Sequence, residues 1–193
     1  MIKLIFICYI EVIFIKDATM AYYEYVDNFN DKISYASIVR YYPLGKKQRY
    51  EWDPIRFNDL PDEMKYLCFY GSKSLNKVDY ILTNPIVIVE RHHLRFSSKK
   101  KNKFHFAIHT DREGPSSGPC YSILYYYHID NNIDNGNLRF YEHEEDDIPK
   151  EIFNPISGDL IAFDDNIYHS PGEFSTDSDD LVTRGLLAFF VKL

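Results

Sequence analysis

Residues 104–111 read FHFAIHTD, an apolar, aromatic and β-branched run that closes on a histidine and an aspartate two positions apart. Such a run reads as a β-strand, and on a strand residues i and i+2 project from one face. His109 and Asp111 are therefore expected to point at a common centre, with Thr110 pointing away. One strand cannot wrap an ion, so a third donor has to come from another strand. His169 is the candidate, 58 residues beyond Asp111 and just after the strand-like run DLIAF at 159–163.

The same pattern of short strands and polar turns extends through the second half of the chain. The runs ILTNPIVIVE (81–90), CYSILYYYHID (120–130), GNLRFYE (136–142), ISGDLIAFDD (156–165) and RGLLAFFVKL (184–193) are separated by turn signals. Successive strands with such turns predict an antiparallel sandwich or jelly roll. Earlier in the chain the signals mix helix and strand. Pro61 with Asp62 and Glu63 starts a helix, Leu60, Met64, Leu67 and Cys68 form its apolar stripe, and Gly71 is expected to close it. That helix is expected to cover the outside of a sheet. The expected organisation is a single domain over 1–193, with 1–78 a mixed α/β supporting region and 79–193 the β core.

Residues 1–15, MIKLIFICYIEVIFI, are strongly apolar, but Glu11 interrupts them and they are too short to span a bilayer. They read as a buried strand or as an extension upstream of a start at Met20. An aromatic content of 17%, with 17 Tyr and 14 Phe, favours strands over a helical bundle. The formal charge of −7 argues against a general nucleic-acid binder, which carries a basic surface. Cys8, Cys68 and Cys120 have no zinc-like spacing, and no Asn-x-Ser/Thr acceptor occurs. Both features predict a reducing, intracellular (cytoplasmic) setting, and no membrane partner is expected.

Two imidazoles and one carboxylate can occupy one face of a metal ion and leave the opposite face open, which is the donor set of non-haem Fe(II) oxygenases. The matching segments are HTD at 109–111, CYSILYYYHID, DNGNLRFYE at 134–142, SGDLIAF with YH at 168–169, and TRGLLAFF at 183–190. In these segments the chain resembles the double-stranded β-helix core of the Fe(II)- and 2-oxoglutarate-dependent dioxygenases, most of all the prolyl hydroxylase branch.

The resemblance implies a metal site of His109, Asp111 and His169, with Fe(II) and 2-oxoglutarate as cofactor and cosubstrate and ascorbate as an optional addition. It also implies that Arg184 pairs with the distal carboxylate of the cosubstrate and that Tyr126 hydrogen-bonds it. Ser122 and Tyr126 share a strand face by alternation, and Leu138, after the Asn135-Gly136 turn, is expected to line the cosubstrate pocket. The reaction implied is hydroxylation of a side chain by O2, prolyl in a protein or peptide first, with succinate and CO2 as coproducts. Arg184 follows His169 by fifteen positions, a wider gap than that branch shows, and the inserted EFSTDSDDLVT reads as a longer turn.

Other readings of the same residues stay open. Arg184 can instead pair with Asp179 or Asp180 at the surface. His105 is a further pocket candidate. His92 and His93, adjacent on a strand, face opposite ways and are not expected to act as a pair. The KKKNK run at 99–103 and the EHEEDD run at 142–147 read as solvated loops. The alternatives in function are a non-catalytic binding protein on the same fold, a barrel with a structural metal, and an oxygenase acting on nucleic acid or a small molecule.

Overall fold

In a computed structural model of the chain, the described residues are 54–98, 107–112, 120–172 and 174–192, together with strand segments 12–13, 24–26 and 49–51. The remainder of the apolar run at 1–15, His105 and the basic run at 99–103 lie outside them. The strands are β1 (Val12–Ile13), β2 (Glu24–Val26), β3 (Arg49–Glu51), β4 (Ile55–Arg56), β5 (Ile86–Phe96), β6 (Cys120–Ile129), β7 (Asp134–Asn135) and β8 (Leu138–Tyr141). They continue as β9 (Glu151–Phe153), β10 (Leu160–Asp164), β11 (Tyr168–Pro171), β12 (Phe174–Ser175) and β13 (Val182–Lys192). Two helices, α1 (Asp62–Ser74) and α2 (Val78–Leu82), precede β5.

The fold is mainly β, a jelly roll of antiparallel sheets with flanking helix. The large sheet runs β1-β2-β10-β6-β13-β5-β3, with β4 also on β5; the smaller sheet runs β11-β8-β9, and β12 pairs with β7. Strands from the first 56 residues thus complete the large sheet on both sides of its core strands.

Alternation along three central strands sorts their side chains into two cores. Val87 and Val89 of β5, Tyr121, Ile123 and Tyr125 of β6, and Leu187, Phe189 and Val191 of β13 pack with Met64, Leu67 and Cys68 of α1. The opposite face presents Leu124, Tyr126 and Ala188 to Leu138, Phe140 and Phe153 of the smaller sheet. Each fully buried side chain of this size contributes about 1.5–3 kcal/mol, so both faces are fixed in register by burial.

Two details differ from the sequence reading. The helix does not close at Gly71 but continues to Ser74, because Gly71 is where α1 meets the sheet: a Cβ there would sit 2.7 Å from Ile123. Ile81–Thr83 is not strand; α2 takes it up to Leu82, and the chain turns at Asn84 (φ 60°) and Pro85 before β5 begins. The strand then runs past Glu90 to Phe96. No helix among the described residues is long and apolar enough to cross a membrane.

Candidate metal centre and cavity

The donors meet where segment 107–112 touches β11. His109 N–H donates to the His169 carbonyl at 3.0 Å, and His169 N–H donates to the His109 carbonyl at 2.9 Å. This single bridge, not an extended ladder, is what the described part of the predicted FHFAIHTD strand forms. It brings the imidazole rings to 4.5 Å, and Phe163 packs edge-on against His169 at 4.8 Å. His169 is 5% exposed.

Each imidazole is oriented in the same way. Nδ1 of His109 lies 2.9 Å from the Ala107 carbonyl, and Nδ1 of His169 lies 3.0 Å from the Ile167 carbonyl. A carbonyl only accepts, so Nδ1 carries the proton and Nε2 keeps its lone pair, the usual way a ligating histidine is held. Both Nε2 atoms face Asp111, at 3.8 Å from Oδ1 for His109 and 3.7 Å from Oδ2 for His169. These separations are too long for hydrogen bonds, yet one donor atom from each of the three residues lies within 4.8 Å of the others. Burial pushes the His169 pKa down against the opposing pull of Asp111, favouring the neutral, ligating form. The donor set and its tautomers fit a divalent ion of the Fe(II) type.

Ser122 does not line the cavity; its Oγ donates to Asp111 Oδ2. The cavity itself measures about 500 Å³ and is reached by His109, Asp111 and His169 at one end and by Tyr126, Leu138 and Arg184 beyond. Arg184 is 5% exposed, with its guanidinium 4.3 Å from the Phe174 ring centroid and 5.0 Å from that of Tyr126. Arg184 Nε and Tyr126 Oη make no hydrogen bond of good geometry, although guanidinium and phenol lie close enough to interact. Burial raises the Tyr126 pKa and lowers that of Arg184, and each group opposes the other's shift by its charge and by side-chain hydrogen bonding. No carboxylate among the described residues pairs with Arg184; Asp179 instead accepts from Ser98, and the Asp180 amide bonds Ser178. A buried cation without an anion is costly, so an anionic group entering this end of the cavity would meet a favourable charge.

The inserted stretch before β13 supplies part of that end. Phe174, in β12, is the ring that covers Arg184. The sequence reading took this stretch as a plain turn and missed Phe174. It also missed Glu90 and His92, which line the cavity from β5 with His92 Nε2 3.3 Å from Glu90 Oε2. The signal was present: the alternation of IVIVE continues through RHHLRF and puts both on the face of Ile88. His93 points to the opposite face and bonds Tyr127 Oη at 3.0 Å. His128 pairs with Asp130, and His143 is exposed in the acidic loop.

No family model matches the chain, and no curated protein matches its sequence. Solved structures do match. IDO from Bacillus thuringiensis gives a TM-score of 0.59 at 14% identity, over 89% of this chain and 93% of that one. A Pseudomonas putida prolyl-4-hydroxylase gives 0.47 at 15% identity, over 75% and 68% of the two chains. An oxidoreductase of the 2OG-Fe(II) oxygenase family from Burkholderia pseudomallei gives 0.42 at 14% identity, over 69% and 59%. At such identities the likeness is one of fold, and it is carried by the first of the three. The chain therefore shares its mainly β, jelly-roll fold with IDO from Bacillus thuringiensis.

Proposed function

We propose that the chain is an Fe(II)- and 2-oxoglutarate-dependent dioxygenase that hydroxylates a side chain of a protein or peptide, with proline the first residue to assay. The observation that carries this reading is one cavity with a three-donor metal site at one end and a buried guanidinium lacking an anionic partner at the other. A ligand with a chelating head and a distal carboxylate answers both ends, and 2-oxoglutarate is such a ligand.

Each residue has a task on this reading. His109, Asp111 and His169 would hold the ion by Nε2, a carboxylate oxygen and Nε2, leaving its other positions free. Ser122 fixes the Asp111 carboxylate by donating to Oδ2. Arg184 would grip the distal carboxylate, and Tyr126, its ring beside the guanidinium, would donate to it. Leu124 and Leu138 line the space between with apolar surface. The bound ion and oxo acid together supply oxygen activation, one oxygen atom entering succinate and the other the substrate hydroxyl, with CO2 released. A reducing, cytoplasmic setting would suit a ferrous site.

The test is anaerobic titration of the purified chain with Fe(II) and 2-oxoglutarate, followed by the weak visible charge-transfer band of a chelated oxo acid. The band is expected in the wild type and expected to vanish in Asp111→Ala and His169→Ala. A folded wild-type chain that shows no band and binds no 2-oxoglutarate would overturn the proposal and point to a binding protein.

A further inference from the structure

The stretch between His169 and Arg184 carries more than a turn. Phe174 stands in it, in β12, and is 5% exposed. Arg184 lines the cavity and Phe174 does not. With its centroid 4.3 Å from the guanidinium, the Phe174 ring therefore stands behind Arg184, on the side away from the cavity.

The ring is itself held from several directions. Against it lies Gly136 (φ 73°), where a Cβ would come within 2.7 Å of Cδ1 and 3.0 Å of Cε1. A left-handed glycine thus lets the turn between β7 and β8 approach the ring. Phe96 packs on Phe174 with 6.0 Å between centroids, Val182 completes the buried cluster, and Leu94 and Ile133 pack against it. The strand that carries the ring is tied to β7 by the pairs Phe174–Asn135 and Ser175–Asp134. A close-packed group of this kind gives little room for movement.

Arg184 is confined as a result. Rings from two different sheets touch its guanidinium: Tyr126 of β6, which lines the cavity, at 5.0 Å, and Phe174 of β12 behind. Attraction between the cation and the ring faces favours this position. An arginine with open space behind it could draw back from the cavity. Here the Phe174 ring fills that space. An oxo acid chelated at the triad and paired with Arg184 is gripped at both ends, and the separation of the grips selects its length as long as the arginine end does not yield.

Resting on the dioxygenase reading, we infer that Phe174 is a positioning residue for the cosubstrate: it backs the Arg184 guanidinium so that the site takes 2-oxoglutarate and turns away 2-oxoadipate, which is longer by one methylene. Phe174 touches neither metal nor cosubstrate and acts through Arg184.

The experiment is calorimetric titration of the anaerobic Fe(II)-loaded protein with 2-oxoglutarate and with 2-oxoadipate, in the wild type, Phe174→Ala and Phe174→Leu. A surplus methylene in a fitted pocket is worth about 10–200-fold, so the wild type is expected to bind 2-oxoglutarate at least about tenfold tighter than 2-oxoadipate. In Phe174→Ala the ratio is expected to fall close to unity, because the guanidinium can then retreat. Phe174→Leu keeps apolar bulk in the cluster without the flat ring, and should lower the ratio in the same direction. A ring that served stability alone would, on removal, lower Tm or weaken both acids alike and leave the ratio unchanged. A wild type that takes both acids equally overturns the inference, as does an unchanged ratio in Phe174→Ala or, should that variant not fold, in Phe174→Leu. In these cases the wild type still binds 2-oxoglutarate with its visible band, and the dioxygenase reading stands. A folded wild type that binds neither acid and shows no band removes that reading and this inference with it.

Discussion

Replacing Arg184 with methionine separates a ligand-binding arginine from a structural one by the sign of its effect on stability. An arginine paired with Asp179 or Asp180 at the surface would lose up to about 1 kcal/mol on substitution. The observed Arg184 is 5% exposed, has an unpartnered Nε, and touches two rings at 4.3 and 5.0 Å. Removing a buried charge without a counter-ion relieves a desolvation penalty of several kcal/mol. Losing the two ring contacts offsets about 1–2 kcal/mol each, and methionine refills most of the apolar volume. The ligand-free variant is therefore expected to be as stable as the wild type or up to about 3 kcal/mol more stable. For a chain of this length each kcal/mol moves Tm by about 2–4 °C. Affinity for 2-oxoglutarate should move the other way, because truncating one partner of a buried, hydrogen-bonded charge pair costs about 2–5 kcal/mol, a loss of about 30-fold to several thousandfold. Scanning calorimetry on the metal-free protein and 2-oxoglutarate titration on the Fe(II)-loaded protein read the two quantities separately. A fall in Tm of more than about 5 °C together with retained 2-oxoglutarate affinity would refute the reasoning.

Three further outcomes are expected. Ser122→Ala removes the donor to Asp111 without touching a metal ligand and should weaken Fe(II) binding about 10–100-fold; an unchanged iron titration would mean that Asp111 is oriented by other contacts. His93, pushed down to about 4 from 6.5 mainly by burial and then by Arg91, stays neutral in the folded protein while the unfolded chain takes up a proton. Its contribution is therefore complete above about pH 6.5 and lost as pH falls towards 4, by about 2–3 kcal/mol in all. Urea midpoints measured across that window should fall less steeply in His93→Gln than in the wild type; parallel curves would count against this assignment. Gly185→Ala would place a Cβ 2.2 Å from the Tyr127 ring, displacing the hydroxyl that Arg91 and His93 share. A loss of about 1–3 kcal/mol is expected, and a urea midpoint equal to that of the wild type would show that the ring moves freely.

The parts of the fold that were legible in the sequence are those set by alternation. CYSILYYYHID reads as a strand because its odd and even positions serve two different cores, and β6 has that division. Where two local signals compete, the sequence is silent on the winner: Ile81 and Leu82 look like the start of β5, but the left-handed Asn84 and Pro85 cut them off and leave them in α2. Gly71 looked like a helix terminus because a glycine there has two meanings, and only the approach of Ile123 reveals which one applies. The placement of His109, Asp111 and His169 followed from chemistry and order along the chain. Phe174 could not be foreseen in the same way, since its role depends on β12 pairing with β7 across the end of the barrel. Glu90 and His92 were missed for a different reason: alternation separates His92 from His93 in the sequence, but which face of β5 meets the cavity depends on its pairing with β13.

The mutual backbone hydrogen bonds of His109 and His169 bear on how the site would exchange its metal. Each residue's amide is held by the other's carbonyl, so neither imidazole carrier can swing away while the bridge is intact, and one opening event releases both. A metal held by both rings would thus rest on two backbone carriers that open together, with rotation about the side-chain bonds as each ring's separate route of release. The same opening exposes both amides to solvent, so those two backbone positions are expected to take up deuterium together.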